Sequence, residues 1–343
     1  MSSLIIEVCE IEKVLPHLNA ERLELAHIKG WQCVVPRNKY RAGDLVTYIP
    51  VDSVLPAALA DRLGVAKYLS KGRVRCARLR GEPSFGLVID RENNAWPAGT
   101  DVREHYGIEK YIPPVKLTAG DAEVPHPLFV SYSEIENMRN FPAVFTPGER
   151  VIATEKIHGT NARVGLILEN DQPVEMAGSK KLRRKRPVEM AGDLYWFPWT
   201  VTGVRELLQD LAQGSRGAKQ AILFGQVFGR VQSLRYGLDR SLGFRAFDLL
   251  IDGKYVDSEE FADLCDRFGV EKVPHVYEGP FDLERIRELS NGPSLVAGAS
   301  NIREGVVVKA AVERIDPKIG RAILKYVSDV YLLGEDISDT QDV

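Results

Sequence analysis

The sequence predicts an α+β protein with a small N-terminal β domain and a larger C-terminal domain of mixed α and β structure. Short apolar runs of strand length, separated by Gly, Asp and Pro, fill residues 4 to about 110. The consecutive prolines Pro113 and Pro114 then interrupt the pattern, since proline continues neither a central strand nor a helix. From about residue 131, helical and strand patterns alternate along the chain.

The N-terminal domain, residues 1–112, is predicted to contain five or six short strands. Turn residues such as Gly30 and Gly43 separate them. This many strands in about 90 residues is typical of a small closed β-barrel, for which the OB fold is the natural candidate. The predicted strands are Leu4–Val14, Leu23–Ile28, Gln32–Val35, Leu45–Tyr48, Arg73–Leu79 and Gly86–Ile89.

Residues 113–130 are predicted to be a linker, and residues 131–343 form the second domain. The run Asp257-Ser-Glu-Glu has capping-box spacing ahead of a helix that Gly269 ends. Helices are predicted at Val204–Leu211, Asp257–Phe268 and Asp282–Leu289. Strands are predicted at Val151–Glu155, Arg163–Leu168, Ala221–Phe228, Arg245–Ile251 and Gly305–Ala310.

One hexapeptide, Pro-Val-Glu-Met-Ala-Gly, occurs at residues 173–178 and again at 187–192. A duplication over so short a distance suggests an inserted surface hairpin. No function is predicted for it.

The composition indicates a globular protein of a reducing compartment. Apolar residues make up 44% of the chain and charged residues 27%. The four cysteines show no C-x-x-C spacing, which argues against a disulfide scaffold and structural zinc. No apolar run approaches the roughly 20 residues of a membrane span, and acidic residues interrupt the N-terminal apolar run. We therefore expect a cytoplasmic monomer with no membrane association and no protein partner.

Charge is distributed unevenly. The net charge of −3 does not favour nucleic-acid binding by itself, because phosphate binding draws on a basic surface. The segment Ser179–Arg186, however, places six cations in eight positions. It is either a phosphate-facing element or a solvated loop, and its position downstream of the motif around Lys156 favours the first.

The run from Thr154 to Arg163, Thr-Glu-Lys-Ile-His-Gly-Thr-Asn-Ala-Arg, places Lys156 between a β-type run and a glycine turn. Lysine attacks only as a free amine, and a desolvated pocket or nearby positive charge can lower its pKa enough. The pattern Lys-x-x-Gly with Asn161 and Arg163 downstream resembles the active-site signature of covalent nucleotidyltransferases, which include polynucleotide ligases and capping enzymes. Within that superfamily, the longer Glu-Lys-Ile-His-Gly-Thr-Asn string is similar to RNA ligases.

Further motifs of the superfamily follow in the expected order. The runs 224–229, 244–248, 303–309 and 322–326 resemble motifs III, IIIa, IV and V. The resemblance covers roughly residues 130–335. With the OB domain included, the whole chain resembles the RNA ligases that carry this domain ahead of the nucleotidyltransferase domain.

The resemblance implies a set of roles. Lys156 would accept AMP from ATP, Lys325 would contact the α-phosphate, and His158 would act in phosphodiester synthesis. Mg²⁺ or Mn²⁺ would be held at Glu304 and Gln226. The nucleotide would be bound by Glu155, Ile157, Asn161, Arg163, Lys180, Gln226, Phe247, Glu304 and Lys309.

Several of these residues have structural alternatives. Glu304 could be a strand-end surface carboxylate, Lys309 an outward-facing lysine, Phe247 a core residue, and His158 a structural histidine.

Three positions depart from the family pattern. Gln226 stands where a carboxylate is usual, so we expect nucleotide binding to survive while metal recruitment and rate fall. Lys180 stands where the family usually has an arginine after serine. Lysine keeps the positive charge but lacks the planar guanidinium that binds phosphate through two hydrogen bonds. Ile323 stands where many RNA ligases have a second lysine.

These observations predict an ATP-dependent RNA ligase that joins a 3′-hydroxyl to a 5′-phosphate. The break would be a nick in an RNA-containing duplex with an RNA 3′-OH strand, gripped by the OB domain, in RNA repair. One alternative is a GTP-dependent capping-type enzyme using the same lysine. Another is a nucleic-acid-binding relative whose catalysis is weakened at Gln226.

Overall fold

The computed structural model describes residues 3–112 and 121–334 of the chain. The chain forms two compact units, Met1–Ile112 and Pro113–Val343. Of the predicted linker, residues 113–120 lie outside the described residues. Its remaining residues pack within the second unit, where Phe129 is buried and the Glu123 amide donates to the Arg183 carbonyl at 3.0 Å.

The first unit is built mainly of short strands. Its strands are β1 (Glu7–Glu10), β2 (Lys13–Pro16), β3 (Leu23–Ile28), β4 (Trp31–Pro36), β5 (Leu45–Ile49), β6 (Ser53–Val54), β7 (Ala77–Leu79), β8 (Glu82–Ser84), β9 (Leu87–Asp90) and β10 (Glu109–Lys110). Its helices are α1 (Ala57–Arg62), α2 (Arg103–Tyr106) and a 3₁₀ turn at Ala66–Tyr68. The predicted strand at Leu4–Val14 is divided between β1 and β2.

Within residues 3–112 the strands pair as the sheets β1-β5-β9, β2-β3-β4, β6-β10 and β7-β8. The predicted closed barrel is therefore wrong, although the short antiparallel strands are confirmed. Between β8 and β9 the strand is interrupted at Gly86, which has φ +129° and where a Cβ would lie 2.6 Å from the Ile49 carbonyl oxygen.

The second unit contains two larger sheets. Its strands are β11 (Glu136–Asn137), β12 (Arg150–Glu155), β13 (Thr160–Glu169), β14 (Gln172–Ser179), β15 (Arg183–Arg184), β16 (Gln220–Gly229), β17 (Leu242–Ile251), β18 (Lys254–Tyr255), β19 (His275–Pro280), β20 (Gly305–Ala310), β21 (Ile315–Asp316), β22 (Gly320–Arg321) and β23 (Ile323–Val327). Its helices are α3 (Val204–Gln213), α4 (Ser258–Phe268), α5 (Leu283–Ser290), α6 (Asp329–Leu332) and a 3₁₀ turn at Phe197–Thr200.

The sheet orders are β15-β14-β13-β16-β17-β18 and β11-β23-β20-β12-β19. Their pairings are antiparallel apart from β11 with β23. The predicted α+β class is thus confirmed. Within the described residues, no helix has both the length and the apolar character that crossing a membrane requires.

The helices form where the apolar spacing predicts them, but one cap differs. In α3, Val204, Leu207, Leu208 and Leu211 are fully buried against the six-stranded sheet. Helix α4 ends at Gly269 in the left-handed region, as predicted. The predicted capping box at its start is absent, because the Asp257 carboxylate accepts the Glu313 amide at 2.8 Å instead.

The duplicated hexapeptide adopts two different structures. The first copy lies in β14, between β13 and β15, with Met176 and Ala177 buried. The second copy, residues 187–192, has no regular secondary structure. The two copies therefore do not form a surface hairpin together, and the first belongs to the central sheet.

The two sheets of the second unit meet face to face. Along β13, Ala162, Val164 and Leu166 pack toward α3 and α4. The alternate residues face the other way, where Ile167 and Phe224 meet Ile323 of β23. Asn161 and Arg163 share this inner face with Ile167, so the alternation of β13 directs them between the sheets.

Candidate active site

Lys156 lies in the short segment that joins β12 of one sheet to β13 of the other. Its amide donates to the Gly305 carbonyl at 2.9 Å, which ties the segment to the start of β20. Gly159 allows the segment to lie against β16, since a Cβ there would come within 2.3 Å of the Val227 carbonyl oxygen. The glycine of the motif is therefore required by close backbone packing.

The Lys156 amine is paired with a carboxylate. Its Nζ lies 2.6 Å from Glu304 Oε1, and the two side chains are 20% and 9% exposed. A carboxylate at this distance favours the ammonium form, the opposite of the positive environment considered from the sequence. In this state the ion pair with Glu304 keeps Lys156 from acting as a free-amine nucleophile.

Glu304 is held in its charged form. Burial would raise the pKa of its carboxyl, but Lys156 and His158 outweigh burial and bring the pKa down to about 2. The resulting stability is present above the ordinary pKa of a glutamate and is lost as the pH falls toward 2. Its second oxygen, Oε2, is buried, has no hydrogen-bond partner among the described residues and lies 3.7 Å from His158 Nδ1.

The imidazole of His158 is bracketed on both sides. The Tyr331 hydroxyl lies 3.0 Å from Nδ1, and the Ser233 hydroxyl lies 3.3 Å from Nε2. The backbone amide of His158 donates to the Tyr236 hydroxyl at 2.7 Å. Sequence reasoning did not identify these three partners, because they lie far along the chain and belong to no motif.

Arg163 is a buried cation with unused donors. Its guanidinium stacks on Phe129 with 4.4 Å between Cζ and the ring centre, and its Nη2 donates to the Lys181 carbonyl at 3.3 Å. Its Nε and Nη1 have no hydrogen-bond partner among the described residues. Burial lowers the pKa of Arg163 to about 10, so it is still charged at neutral pH. Two unsatisfied donors on a buried cation form a receptor for an anionic or hydroxyl-bearing ligand.

Two of the predicted nucleotide-binding residues are engaged in the protein interior. The Glu155 carboxylate accepts from the Ser294 hydroxyl at 2.6 Å and the Leu295 amide at 2.7 Å. Ile157 packs in an apolar cluster that includes Phe228. Any contact from either residue to a nucleotide would therefore have to come from its main chain.

Four further predicted residues lie on the inner faces of the sheets or beside them. Gln226 of β16 is paired in register with Asn161 of β13, and both are buried. Lys325 shares a face of β23 with Ile323, which packs between the sheets. Lys180 forms an ion pair of 2.7 Å with Glu134.

Lys309 and Phe247 lie next to the buried carboxylate of Asp248, which the sequence analysis did not single out. Lys309 Nζ lies 3.4 Å from Asp248 Oδ1, and Arg321 Nη1 lies 2.7 Å from Oδ2. Tyr132 also donates to Oδ2 at 2.7 Å and stands edge-on to Phe247. Lys309 is therefore buried and paired, which contradicts the alternative of an outward-facing lysine. The signal for Asp248 was present, since a carboxylate inside an apolar strand requires a cation.

The residues present fit a divalent cation that the phosphates of a bound substrate would mainly hold. Within residues 3–112 and 121–334, no group of three or more His, Cys, Asp or Glu is arranged to hold a metal. Mg²⁺ commonly needs only one or two carboxylates when substrate phosphates and water complete its shell. The unpartnered Oε2 of Glu304 is such an oxygen. Gln226 can add an amide oxygen but no charge.

Comparison with known proteins identifies the family of this chain. The sequence profile of the RNA ligase family matches residues 149–327, which contain Lys156, Glu304 and Lys325. This chain belongs to the RNA ligase family. The family predicted from the motifs is thereby confirmed. An OB-fold domain profile matches residues 5–90, ahead of the ligase region.

Solved structures of an RNA ligase from Naegleria gruberi resemble this family member along nearly its whole length. The structure with PPi has a TM-score of 0.74 at 24% identity, covering 97% of this chain and 98% of that one. A mutant with ATP and Mn has a TM-score of 0.73 at 24% identity, covering 96% and 98%. An apo mutant has a TM-score of 0.73 at 25% identity, covering 96% and 97%. Among curated proteins, none matches.

Proposed function

We propose that this family member is an ATP-dependent RNA ligase that seals a 3′-hydroxyl to a 5′-phosphate through a covalent Lys156–AMP. The main support is the placement of Lys156 beside the Glu304 carboxylate in the segment that joins the two sheets. Seven positions later lies Arg163, a buried arginine whose Nε and Nη1 have no hydrogen-bond partner among the described residues. The Naegleria gruberi structures with ATP and Mn and with PPi support the choice of ATP and a divalent cation.

The first step would be attack of Lys156 Nζ on the α-phosphorus of ATP. A nitrogen–phosphorus bond forms, the bond to the bridging oxygen breaks, and pyrophosphate leaves. In the second step a 5′-phosphate oxygen takes the adenylyl group and Lys156 is released. In the third step the 3′-hydroxyl oxygen attacks the activated 5′-phosphorus, and AMP leaves.

Different polar side chains would bind different parts of the nucleotide. Arg163 would donate its two unused N–H groups to a phosphate or ribose oxygen. Lys325 would lie at the α-phosphate and stabilise charge that develops there. Lys180, Asn161 and Gln226 would contact phosphates and ribose.

Phe247 would offer an aromatic face to the base, and Lys309 would hold the strand that carries Phe247. Glu304 and Gln226 would hold a divalent cation, which offsets negative charge on the nucleotide phosphates.

We predict that the pH dependence of adenylylation reports the ion pair of Lys156 and Glu304. Because only the free amine attacks, the single-turnover rate should rise about tenfold per pH unit before it levels off. In Glu304→Gln the negative charge is gone, so the rate should level off at a lower pH, while its maximum falls through weaker cation binding. An unchanged pH profile with a lower maximum would show that Glu304 does not control the protonation of Lys156.

Tyr331 is expected to position His158 for the third step. Tyr331→Phe removes only the hydroxyl at Nδ1, so Lys156–AMP formation should stay within about twofold while sealing of a pre-adenylylated end falls about tenfold. The pH profile of sealing should also shift. Tyr277→Phe is the control, since its hydroxyl bonds the Pro280 carbonyl on an exposed strand. Equal losses in both steps would mean that Tyr331 has a purely structural role.

Restoring a carboxylate at position 226 should increase activity. Glu304 is the carboxylate that would hold the cation, and Gln226→Glu adds a second one. Adenylylation at limiting Mg²⁺ should therefore rise several-fold, a change on the order of 1 kcal/mol in activation free energy. The measurement is the Mg²⁺ concentration that gives half the maximal rate. If neither this concentration nor the rate changes, Gln226 does not limit metal recruitment.

The proposal is tested by intact-protein and peptide mass spectrometry after incubation with each nucleoside triphosphate and Mg²⁺ or Mn²⁺. We expect an AMP adduct on Lys156 and sealing of nicked duplexes with an RNA 3′-OH strand. A GMP adduct would favour the capping-type alternative, against which the RNA ligase profile speaks. Binding of RNA with no adduct under any condition would favour the catalytically weakened alternative.

A further inference from the structure

We propose that the loop joining β16 to β17, residues 230–241 and here called the arginine loop, is the surface that receives the RNA phosphate backbone beside the active site. This inference rests on the proposed function and names the docking surface of its nucleic-acid substrate. The loop lies outside every motif that the sequence analysis singled out, and the cation-rich segment 180–186 was the expected surface.

The charge of the arginine loop is not neutralised by the protein. Arg230, Arg235 and Arg240 are exposed, and none of them forms an ion pair within the described part of the chain. Arg230 and Arg235 donate only to the carbonyl oxygens of Gly192 and Gly229, each at 3.3 Å. Three arginines against the single Asp239 leave a net positive surface on a protein whose total charge is −3.

The segment 180–186 behaves differently. Lys180 pairs with Glu134 at 2.7 Å, Arg183 with Glu123 at 2.9 Å and Arg186 with Glu175 at 3.2 Å. Arg184 stacks over Tyr195, with 4.7 Å between Cζ and the ring centre. Half of these six cations are therefore already paired with carboxylates within the unit. A phosphate would have to compete with a carboxylate there, whereas in the arginine loop it would not.

The arginine loop is fixed to the active site rather than loose beside it. Tyr236 is buried among Ile157 and its neighbours, has φ +52°, and its hydroxyl accepts from the His158 amide. Gly237 follows with φ +76°, where a Cβ would lie 2.5 Å from the Gly298 carbonyl oxygen. A bulky non-glycine residue such as Tyr236 is maintained in the left-handed region only where its surroundings hold it.

This anchoring places Arg235 next to the candidate active-site groups around His158. Ser233 reaches Nε2 of His158, and Tyr236 reaches its backbone amide. Arg235 lies between these two contacts in sequence, and its side chain is exposed. Phosphates bound by the loop would therefore lie beside the histidine that the third step uses. Arginine suits this role because its planar fork binds phosphate oxygens in pairs.

The test is the salt dependence of RNA binding. Affinity for a nicked duplex with an RNA 3′-OH strand is measured by fluorescence anisotropy without ATP, over a range of NaCl concentrations. Each phosphate contact contributes roughly 0.7 to 0.9 to the slope of log K against log salt. Arg235→Ala and Arg240→Ala should each lower the slope by about this amount, and the variant lacking all three arginines by roughly 2 to 3.

Lys254→Ala is the matched control. This substitution also removes one exposed positive charge. Lys254 follows the C-terminal end of β17, whereas the arginine loop precedes its N-terminal end. Ten residues of strand separate them, about 33 Å. We expect this variant to keep the slope of the unmodified protein.

The outcomes separate the docking surface from the proposed function. Lys156–AMP formation needs no RNA, so it should be unchanged in the arginine variants, which also shows that they are folded. Normal adenylylation with slopes equal to that of Lys254→Ala would overturn the arginine loop as the docking surface and leave the ligase proposal intact. Absence of Lys156–AMP in the unmodified protein would instead refute the proposed function.

Discussion

Lys156→Ala should abolish transfer of label from ATP to the protein and reduce RNA sealing by more than about a thousand-fold. Lys156 is the proposed covalent carrier of AMP, and loss of a nucleophile removes the entire pathway rather than one contribution to it. The measurement is incubation with α-labelled ATP and Mg²⁺, followed by gel separation of the protein and a sealing assay on a nicked duplex.

Lys156→Arg provides the stricter variant. A guanidinium keeps the positive charge beside Glu304 and so preserves the ion pair that is 2.6 Å long in the native protein. It cannot be deprotonated in proteins, so it cannot attack the α-phosphorus. The control variant Lys254→Ala should incorporate as much label from ATP as the unmodified protein. Label retained in Lys156→Ala would place the adduct on another residue and refute the assignment.

Asp248→Ala should be among the most destabilising single substitutions in the second unit. Asp248 is 0% exposed and accepts from Tyr132 while facing Lys309 and Arg321. Removing one partner of a buried ion pair leaves buried charge uncompensated, which costs about 3–5 kcal/mol. The free energy of unfolding from urea titration measures this. Asp263→Asn, on the exposed side of α4, should change it by less than about 0.5 kcal/mol.

The pH dependence of this loss follows from the carboxyl group. Burial would raise the pKa of Asp248, but Lys309 and Arg321 outweigh burial and lower it. The stability contributed by Asp248 is therefore complete above the ordinary aspartate pKa of about 3.9 and is lost as the pH falls through the lowered value. The difference between the native protein and Asp248→Ala should shrink in acid. A difference that grows in acid would contradict this charge assignment.

Some of the candidate site could be predicted because its residues cluster in short runs of sequence. Lys156, His158, Asn161 and Arg163 lie within eight positions, and the alternation of β13 alone directs Asn161 and Arg163 to one face. The helices α3, α4 and α5 were predictable for the same reason, since apolar spacing along one segment determines which face is buried.

The partners of His158 could not be predicted in this way. Ser233 lies 75 positions from His158 and Tyr331 lies 173 positions away. Neither belongs to a pattern that local physics recognises, and only the meeting of the two sheets brings them to opposite sides of one imidazole. The same holds for Glu304, whose pairing with Lys156 reversed the expected electrostatic environment of the amine.

The sequence alone determined the α+β class and the family, and it predicted the candidate site at Lys156 and its neighbours, because these depend on local spacing and side-chain chemistry. Only the tertiary structure decided which charges are already neutralised. The six cations of Lys180–Arg186 form the most basic run, yet carboxylates distant in sequence pair with half of them, whereas the three arginines of residues 230–241 keep their charge. Ion pairing depends on distance in space, and the fold sets that distance.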